Sequence, residues 1–217
     1  MKAATLVAMI AIAATIPATS SLAEARKPDF STRIQAFMPR NTDDWETGGG
    51  IDFQTRFWSS ENFGTALCVG FDTWTVKSEY SEESDASGTT TTSIYGNMSM
   101  IPIGISALYR NNIAEKVSLV FEAGVRYIFT QSNINAEITT ADANGTSYSK
   151  DTISTDSTFA GLVGVSVETE MIEGMVLQLG FSYQFDLTRP RETFTGEDLG
   201  VTSFNSAMIN VGLAWAF

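Results

Sequence analysis

Residues 117–130 read VSLVFEAGVRYIFT, and bulky apolar side chains alternate in this stretch with small or charged ones. One face of an extended chain would carry Val117, Leu119, Phe121, Ala123, Val125, Tyr127 and Phe129, and the other Ser118, Val120, Glu122, Gly124, Arg126 and Ile128. A period of two indicates a β-strand between two different environments. Residues 175–187 (MVLQLGFSYQFDL) and 205–217 (NSAMINVGLAWAF) repeat the pattern. The chain is therefore predicted to be all-β.

Eight segments carry this alternation, and the connections between them differ in length. We expect strands at residues 29–38, 49–59, 62–77, 93–109, 116–130, 158–171, 175–187 and 205–217. Three connections are short (59–62, 110–115 and 172–174), and four are long and polar (39–48, 78–92, 131–157 and 188–204). If the strands run up and down in sequence order, all short connections lie at one end. This segregation is typical of a transmembrane barrel with short periplasmic turns and long extracellular loops.

The first 25 residues have the features of an export signal. Lys2 is followed by an almost entirely apolar run, and residues 23–25 read AEA, which fits the small-residue cleavage pattern. The run is shorter than the ~20 residues of a membrane-spanning helix, so an uncleaved anchor is the less favoured alternative. We predict a signal peptide over residues 1–25, cut after Ala25 with Ala23 as the alternative, and a barrel domain over residues 26–217.

Period alone does not say which face of the strands is outside. In a soluble, lipocalin-like barrel the large apolar side chains would point inward. An eight-stranded barrel has an interior only just wide enough for side chains, and the Gly, Ala and Ser on the charged face suit it. We therefore expect a polar lumen and a lipid-facing apolar exterior.

Aromatic residues near the strand ends are expected to form two interfacial girdles. Those on the side of the short connections are Phe57, Trp58, Phe63, Tyr109, Trp215 and Phe217, and those on the other side are Phe71, Trp74, Tyr127, Phe129, Tyr183 and Phe185.

Two motifs resemble a known family. Residues 48–58 (GGGIDFQTRFW) and 62–67 (NFGTAL) resemble a hairpin of the small outer-membrane β-barrel proteins of the OmpA transmembrane-domain, OmpX and OmpW kind. Leu213, Trp215 and Phe217 are similar to the C-terminal signal by which the barrel-assembly machinery recognises such proteins. The resemblance covers essentially the whole mature chain. It implies an eight-stranded antiparallel up-and-down transmembrane β-barrel in the outer membrane of a Gram-negative bacterium.

The same resemblance implies a monomer with periplasmic termini, in contact with outer-membrane lipids and lipopolysaccharide. The net charge of -12 argues against nucleic acid as a partner. The sequence has no histidine, whereas the outer-membrane enzymes of similar build depend on a catalytic histidine. There is no CxxC motif and no phosphate-binding glycine loop. We expect no enzymatic activity, no cofactor and no metal, and the one cysteine, Cys68, cannot form an internal disulfide.

A set of ionisable residues falls on the predicted inward face: Arg33, Asp52, Arg56, Asp72, Glu122, Arg126, Glu168 and Asp186. Charges inside a narrow barrel must be paired or hydrated. The preferred interpretation is an ion-pair network that fills the lumen of a structural or surface-interaction protein. The alternative is a small passive channel of the OmpW kind, with gaps at the inward glycines Gly64, Gly70, Gly180 and Gly212. The long connections, acidic and rich in Ser and Thr, are expected to be exposed and mobile.

The signal-peptide prediction is tested by the mass of the protein recovered from membranes. We expect intact-mass analysis to show a chain that begins near Arg26. A mass that still includes Met1 would contradict cleavage, and recovery as a soluble periplasmic protein would favour the lipocalin-like alternative.

Overall fold

The computed structural model describes residues 28–40, 45–85, 88–143 and 145–216. The predicted signal peptide and Phe217 lie outside these residues. Twelve strands form: β1 (Asp29–Pro39), β2 (Gly48–Trp58), β3 (Phe63–Thr75), β4 (Glu79–Asp85), β5 (Gly88–Ala114), β6 (Val117–Asp142), β7 (Gly145–Thr155), β8 (Thr158–Ile172), β9 (Met175–Asp186), β10 (Arg191–Phe194), β11 (Glu197–Val201) and β12 (Ser206–Ala216). In the described part of the chain, no helix is long and apolar enough to cross a membrane.

Eight of the strands close into an antiparallel ring in the order β1-β2-β3-β5-β6-β8-β9-β12. The ring closes because β12 pairs with β1 along its whole length, from Asp29 opposite Ala216 to Pro39 opposite Ser206. The eight-stranded up-and-down barrel predicted from the alternation is therefore confirmed. The end with the tight turns is called the short-connection end here, and the opposite end the long-connection end.

The other four strands extend one side of the barrel wall beyond the long-connection end. β4 takes the place of β3 beside β5, and β7 takes the place of β8 beside β6. β10 then pairs with β7, and β11 with β10. The wall extension therefore has the order β4-β5-β6-β7-β10-β11.

The structure forms strands in residues 78–92, 131–157 and 188–204, where the sequence predicts long loops. The segments are polar, but threonine is frequent in them, for example in the run TTTT at 89–92. Threonine is β-branched and favours strands. Main-chain pairing with the neighbouring hairpins therefore outweighs the polar composition, and β5 and β6 continue well beyond the predicted ends of their segments.

Burial confirms which face of the strands is outside. Val125 is 38% exposed, whereas the next residue, Arg126, is 1% exposed. On β9, Leu179 and Phe181 are likewise exposed, whereas Gln178 is buried. A soluble barrel would show the reverse pattern. A continuous apolar exterior of this kind fits the hydrocarbon layer of a membrane.

The apolar band has sharp limits. At the long-connection end Ile101 pairs with Phe129, and the next outward pair is Ser99 and Gln131. At the short-connection end Tyr109 lies between Phe63 and Phe121, with ring centroids 5.1 and 6.3 Å away. These aromatic residues agree with the predicted girdles.

Two residues assigned to the girdles are an exception. Trp58 and Trp74 are buried inside the barrel. They were assigned by their position near strand ends, but the period of two places Trp58 on the face of Arg56 and Trp74 on the face of Asp72. Alternation therefore decides their side of the wall, and closeness to an end does not.

The outward position of Val125 gives a test of the lipid-facing exterior. We expect Val125→Arg to lower the free energy of unfolding by about 2–4 kcal/mol, because it places a cation near the middle of the hydrocarbon layer. Urea unfolding in phospholipid vesicles measures the change. Asn133→Arg lies on the same face of β6 beyond the apolar band and should cost less than about 1 kcal/mol. Equal losses at the two positions would contradict the assignment of the band.

Candidate functional site: the barrel lumen

The lumen contains two groups of ion pairs and, at the long-connection end, a group of apolar residues. We call them the central cluster (Arg33, Asp52, Asp72, Glu122, Arg126), the mouth cluster (Asp29, Arg56, Arg110, Glu168) and the plug (Phe37, Trp45, Trp74, Phe204 and the residues packed around them). The clusters include four arginines and five carboxylates, all of them buried.

In the central cluster, Arg33 on β1 reaches across the barrel. Its Nη1 donates to Glu122 Oε2 on β6 at 2.9 Å, and β6 is four places from β1 in the ring of eight. Its Nε donates to Asp52 Oδ2 at 3.1 Å, and its Nη2 donates to the same oxygen. Glu122 Oε1 accepts from Gln54 Nε2 at 3.1 Å and Ser106 Oγ at 2.8 Å. Glu122 thus links four strands in one plane of the barrel.

Arg126 and Asp72 complete the central cluster with weaker contacts. Arg126 Nη2 lies 3.6 Å from Asp52 Oδ2, and its Nε and Nη1 donate no hydrogen bond within the described residues. Asp72 Oδ1 accepts from Gln35 Nε2 at 3.2 Å. Arg33 hydrogen-bonds to two carboxylates, whereas Arg126 has one carboxylate partner at a longer distance. Arg33 is therefore the main cation of the cluster.

Glycines give the arginine stems their space. A Cβ atom at Gly104 would lie 2.7 Å from Arg126 Cγ, and one at Gly212 would lie 2.8 Å from Arg33 Cγ. Any larger residue would push the guanidinium groups out of their present positions. The space that a side chain would take at these two glycines is therefore occupied by the arginine stems of the neighbouring strands.

The mouth cluster repeats the bridge across the barrel nearer the short-connection end. Arg56 on β2 donates through Nη1 to Glu168 Oε1 on β8, again four places away in the ring. Arg110 Nη2 donates to Glu168 Oε2 at 3.0 Å, and Gln178 Nε2 donates to Oε1 at 2.6 Å. Glu168 is therefore held by three side chains from three other strands.

Asp29 and Trp58 close the mouth cluster on the β1 and β2 side. Arg56 Nε donates to Asp29 Oδ1, and Trp58 Nε1 donates to Asp29 Oδ2 at 2.8 Å. The guanidinium carbon of Arg110 lies 3.9 Å from the centre of the Trp58 ring, a cation-π contact. The indole thus joins a carboxylate and a guanidinium.

Sequence reasoning missed Asp29 and Arg110. Both carry the period-2 signal, since Asp29 lies on the face of Arg33 and Arg110 lies on the face of Ser106. The predicted strand begins at Asp29, and the predicted connection 110–115 contains Arg110, whereas in the structure β5 continues through Arg110 to Ala114.

Asp186 was predicted in the lumen network but takes a different position. Its carboxylate accepts from Ser203 Oγ at 2.8 Å and from the main-chain N of Phe204 at 3.0 Å. It therefore fastens the segment before β12 and positions the Phe204 ring. The other predicted residues are divided between the central cluster and the mouth cluster.

The plug is built around Trp74, which is fully buried. Its ring centroid lies 5.7 Å from that of Trp45, 5.8 Å from that of Phe204 and 6.0 Å from that of Phe37. Trp45 and Phe204 come from two long connections that fold inward. The surrounding buried residues include Met98, Met100, Ile128, Leu162 and Met208.

The cavities show how far solvent reaches. One cavity of about 600 Å³ opens at the short-connection end and is floored by Arg56, Arg110 and Glu168. A cavity lined by Arg33 and Glu122 has a volume of about 10 Å³, roughly the room for one water molecule.

The gaps expected at the inward glycines are absent at all four positions named from the sequence. A Cβ at Gly64 would lie 2.8 Å from the Trp58 ring, and one at Gly70 would lie 3.0 Å from Pro102. Gly180 is covered by Asn210, and Gly212 by Arg33. At these four positions a side chain of the neighbouring strand occupies the space beside the glycine.

The comparisons with known proteins show a likeness in fold alone. No protein-family model matches the sequence, and no curated protein matches it. Neisserial surface protein A superposes with a TM-score of 0.55 at 11% identity, over 89% of this chain and 99% of that one. The outer membrane protein OprG from Pseudomonas aeruginosa gives 0.54 at 8% identity, over 89% and 97%. With its closed ring and apolar belt, the chain shares the eight-stranded β-barrel fold of these outer-membrane proteins.

Proposed function

We propose that the protein is an integral outer-membrane barrel with a closed lumen, whose role is structural or one of surface interaction and is not enzymatic. The observation that carries this proposal is the series of seals along the axis. The plug fills the long-connection end. In each ion-pair cluster an arginine reaches across the barrel to a glutamate on the opposite side, Arg33 to Glu122 and Arg56 to Glu168.

An ion would meet a different barrier at each seal. In the plug it would lose its hydration among aromatic and aliphatic side chains, and hydrophobic constrictions of this kind exclude water. In the central cluster it would have to separate Arg33 from Asp52 and Glu122, which leaves buried charges unpaired. Both barriers oppose steady conduction.

The proposed orientation places the long-connection end at the cell surface. β1 begins and β12 ends at the short-connection end, so both ends of the barrel domain would be periplasmic. This agrees with the short periplasmic turns of outer-membrane barrels. The wall extension would then be the part of the protein that stands at the cell surface.

A small passive channel is the second candidate function. The cavity at the short-connection end favours it, because solvent already reaches Arg56 and Glu168 from that side. A channel would require the plug and the central cluster to open together.

Single-channel recording in a planar bilayer separates the two functions. We expect no steady openings from the wild type, since its seals act in series. Trp74→Ala with Phe204→Ala should stay closed, and so should Arg126→Ala. A variant that combines the two plug changes with Arg33→Ala and Arg56→Ala should conduct, because it also removes the spanning side chain of each cluster. Heat-modifiable migration on a gel shows that each variant is folded, and steady conduction by the wild type would make the channel the leading function.

The ion pairs also have a predicted effect on stability. Arg33→Met leaves Asp52 and Glu122 without their main cation and should lower the free energy of unfolding by about 3–5 kcal/mol. Combining it with Glu122→Gln should restore part of the loss, because Glu122 is then uncharged and Asp52 keeps Arg126, whose Nη2 lies 3.6 Å from its Oδ2. Urea unfolding in the same vesicles measures both. A loss below about 1 kcal/mol for Arg33→Met would indicate a solvent-screened pair and so a hydrated, open lumen.

A further inference from the structure

We propose that the outer surface of the wall extension binds the saccharide headgroups of the glycolipid around the barrel, that is, the sugar layer of lipopolysaccharide. We call this surface the outer extension face, and its residues are Tyr80, Glu82, Thr91, Ser93, Tyr95, Asn135, Glu137, Thr139, Tyr148 and Lys150. The inference rests on the proposed orientation, with the extension at the cell surface.

The outer extension face is continuous with the lipid-facing belt. β5 and β6 pair without a register shift from Ile105 opposite Val125 to Thr91 opposite Thr139. Outward side chains stay outward along this stretch because the period is two. From Ile101 to Thr91 the strand extends roughly 33 Å along its own axis, at ~3.3 Å per residue. The side of the sheet that contacts hydrocarbon lower down therefore faces the headgroup layer higher up.

The composition of the face changes where the apolar band ends. On β4, β5, β6 and β7 beyond Ile101 and Phe129, the outward residues are mainly Ser, Thr, Asn, Gln and Tyr, and the charged ones are Glu82, Glu137 and Lys150. Tyr80 and Tyr148 are 68% and 62% exposed. A tyrosine offers an apolar ring and a polar tip, which suits a sugar ring with its C–H face and hydroxyl groups.

Most of the carboxylates lie on the other side of the extension. The cross-strand partners Glu79, Ile94, Ala136 and Asp151 share the inner face, as do Glu83, Thr90 and Thr140, and Asp85, Gly88 and Asp142. Ile94 packs against the plug, which fixes that face as the inner one. Most of the acidic groups are therefore kept away from the phosphates of a glycolipid leaflet, and Glu82 on the outer face accepts a hydrogen bond from Tyr80 Oη at 3.3 Å.

The glutamate at the centre of the outer face is neutralised locally. Lys150 Nζ donates to Glu137 Oε1 at 2.7 Å, and Tyr95 Oη donates to the same oxygen. These hydrogen bonds, that from Lys150 foremost, lower the pKa of Glu137. The three residues also join β5, β6 and β7, so the face is ordered before a ligand arrives, which reduces the entropy cost of binding.

The test is a titration of the purified mature protein in detergent micelles with lipopolysaccharide that carries its core sugars, followed by native mass spectrometry. We expect Tyr80→Ala with Tyr148→Ala to weaken binding by roughly tenfold, equivalent to about 1.4 kcal/mol. The matched control is Ser81→Ala with Ser149→Ala, which changes the adjacent residues of the same two strands on the inner face. The control should bind like the wild type.

A second arm uses lipid A without core sugars. The wild type and the tyrosine variant should bind lipid A equally and more weakly than the wild type binds the full glycolipid, because only the apolar belt is then engaged. Equal losses in both double variants, or equal wild-type affinity for the two lipids, would overturn the inference. So would loss of binding with EDTA, which indicates cation-bridged phosphates, or a change of oligomeric state in the tyrosine variant, which indicates a second copy as the occupant.

Failure of this inference and failure of the closed-lumen function can be told apart. The titration does not depend on whether the lumen conducts, and the bilayer recording does not depend on the outer extension face. A conducting wild type that still binds through its tyrosines would remove the closed lumen alone, and a closed wild type without sugar-dependent binding would remove the glycolipid contact alone.

Discussion

The absence of water from the hydrocarbon layer is the constraint on which the rest of this structure depends. Every main-chain N–H and C=O group there must be paired within the protein, and a sheet satisfies this only when it closes on itself. Closure by β12 onto β1 separates the two faces of each strand completely. One face then meets lipid and the other meets a narrow interior, so both the apolar belt and the buried charges of the lumen follow from the closed ring.

The narrow interior in turn decides how the charges are arranged. Eight strands leave no room for hydrated ions beside side chains, so each arginine has to meet carboxylates directly. The stems need space beside the adjacent strand, and Gly104 and Gly212 provide it. Apolar residues from the long connections fill the end where such pairs stop. The narrow interior thus determines the pairing of the charges, the positions of the glycines and the inward course of the long connections.

Much of this arrangement could be predicted because the period of two is a local property. The alternation in residues 117–130 correctly separates Val125 from Arg126, and applied consistently it also reaches Arg110 and Trp74. The strands of the wall extension could not be found in this way, since their outer and inner faces are both polar. Trp45 and Phe204 were missed for another reason: they enter the plug through contacts between connections distant in sequence, for which alternation has no signal. The partners within each cluster likewise depend on the ring, because residues such as Arg56 and Glu168 are neighbours only across its diameter.

The bridges across the diameter make the lumen sensitive to strand number and register. A lone hairpin cannot pair Arg33 with Glu122, since the two strands meet only when the intervening wall is complete. A slip of one residue in any strand would turn its ionised side chains toward the hydrocarbon. Incomplete or misaligned sheets therefore carry an electrostatic penalty that the finished barrel does not. The ion pairs therefore favour the complete, correctly aligned ring over sheets with another strand count or register.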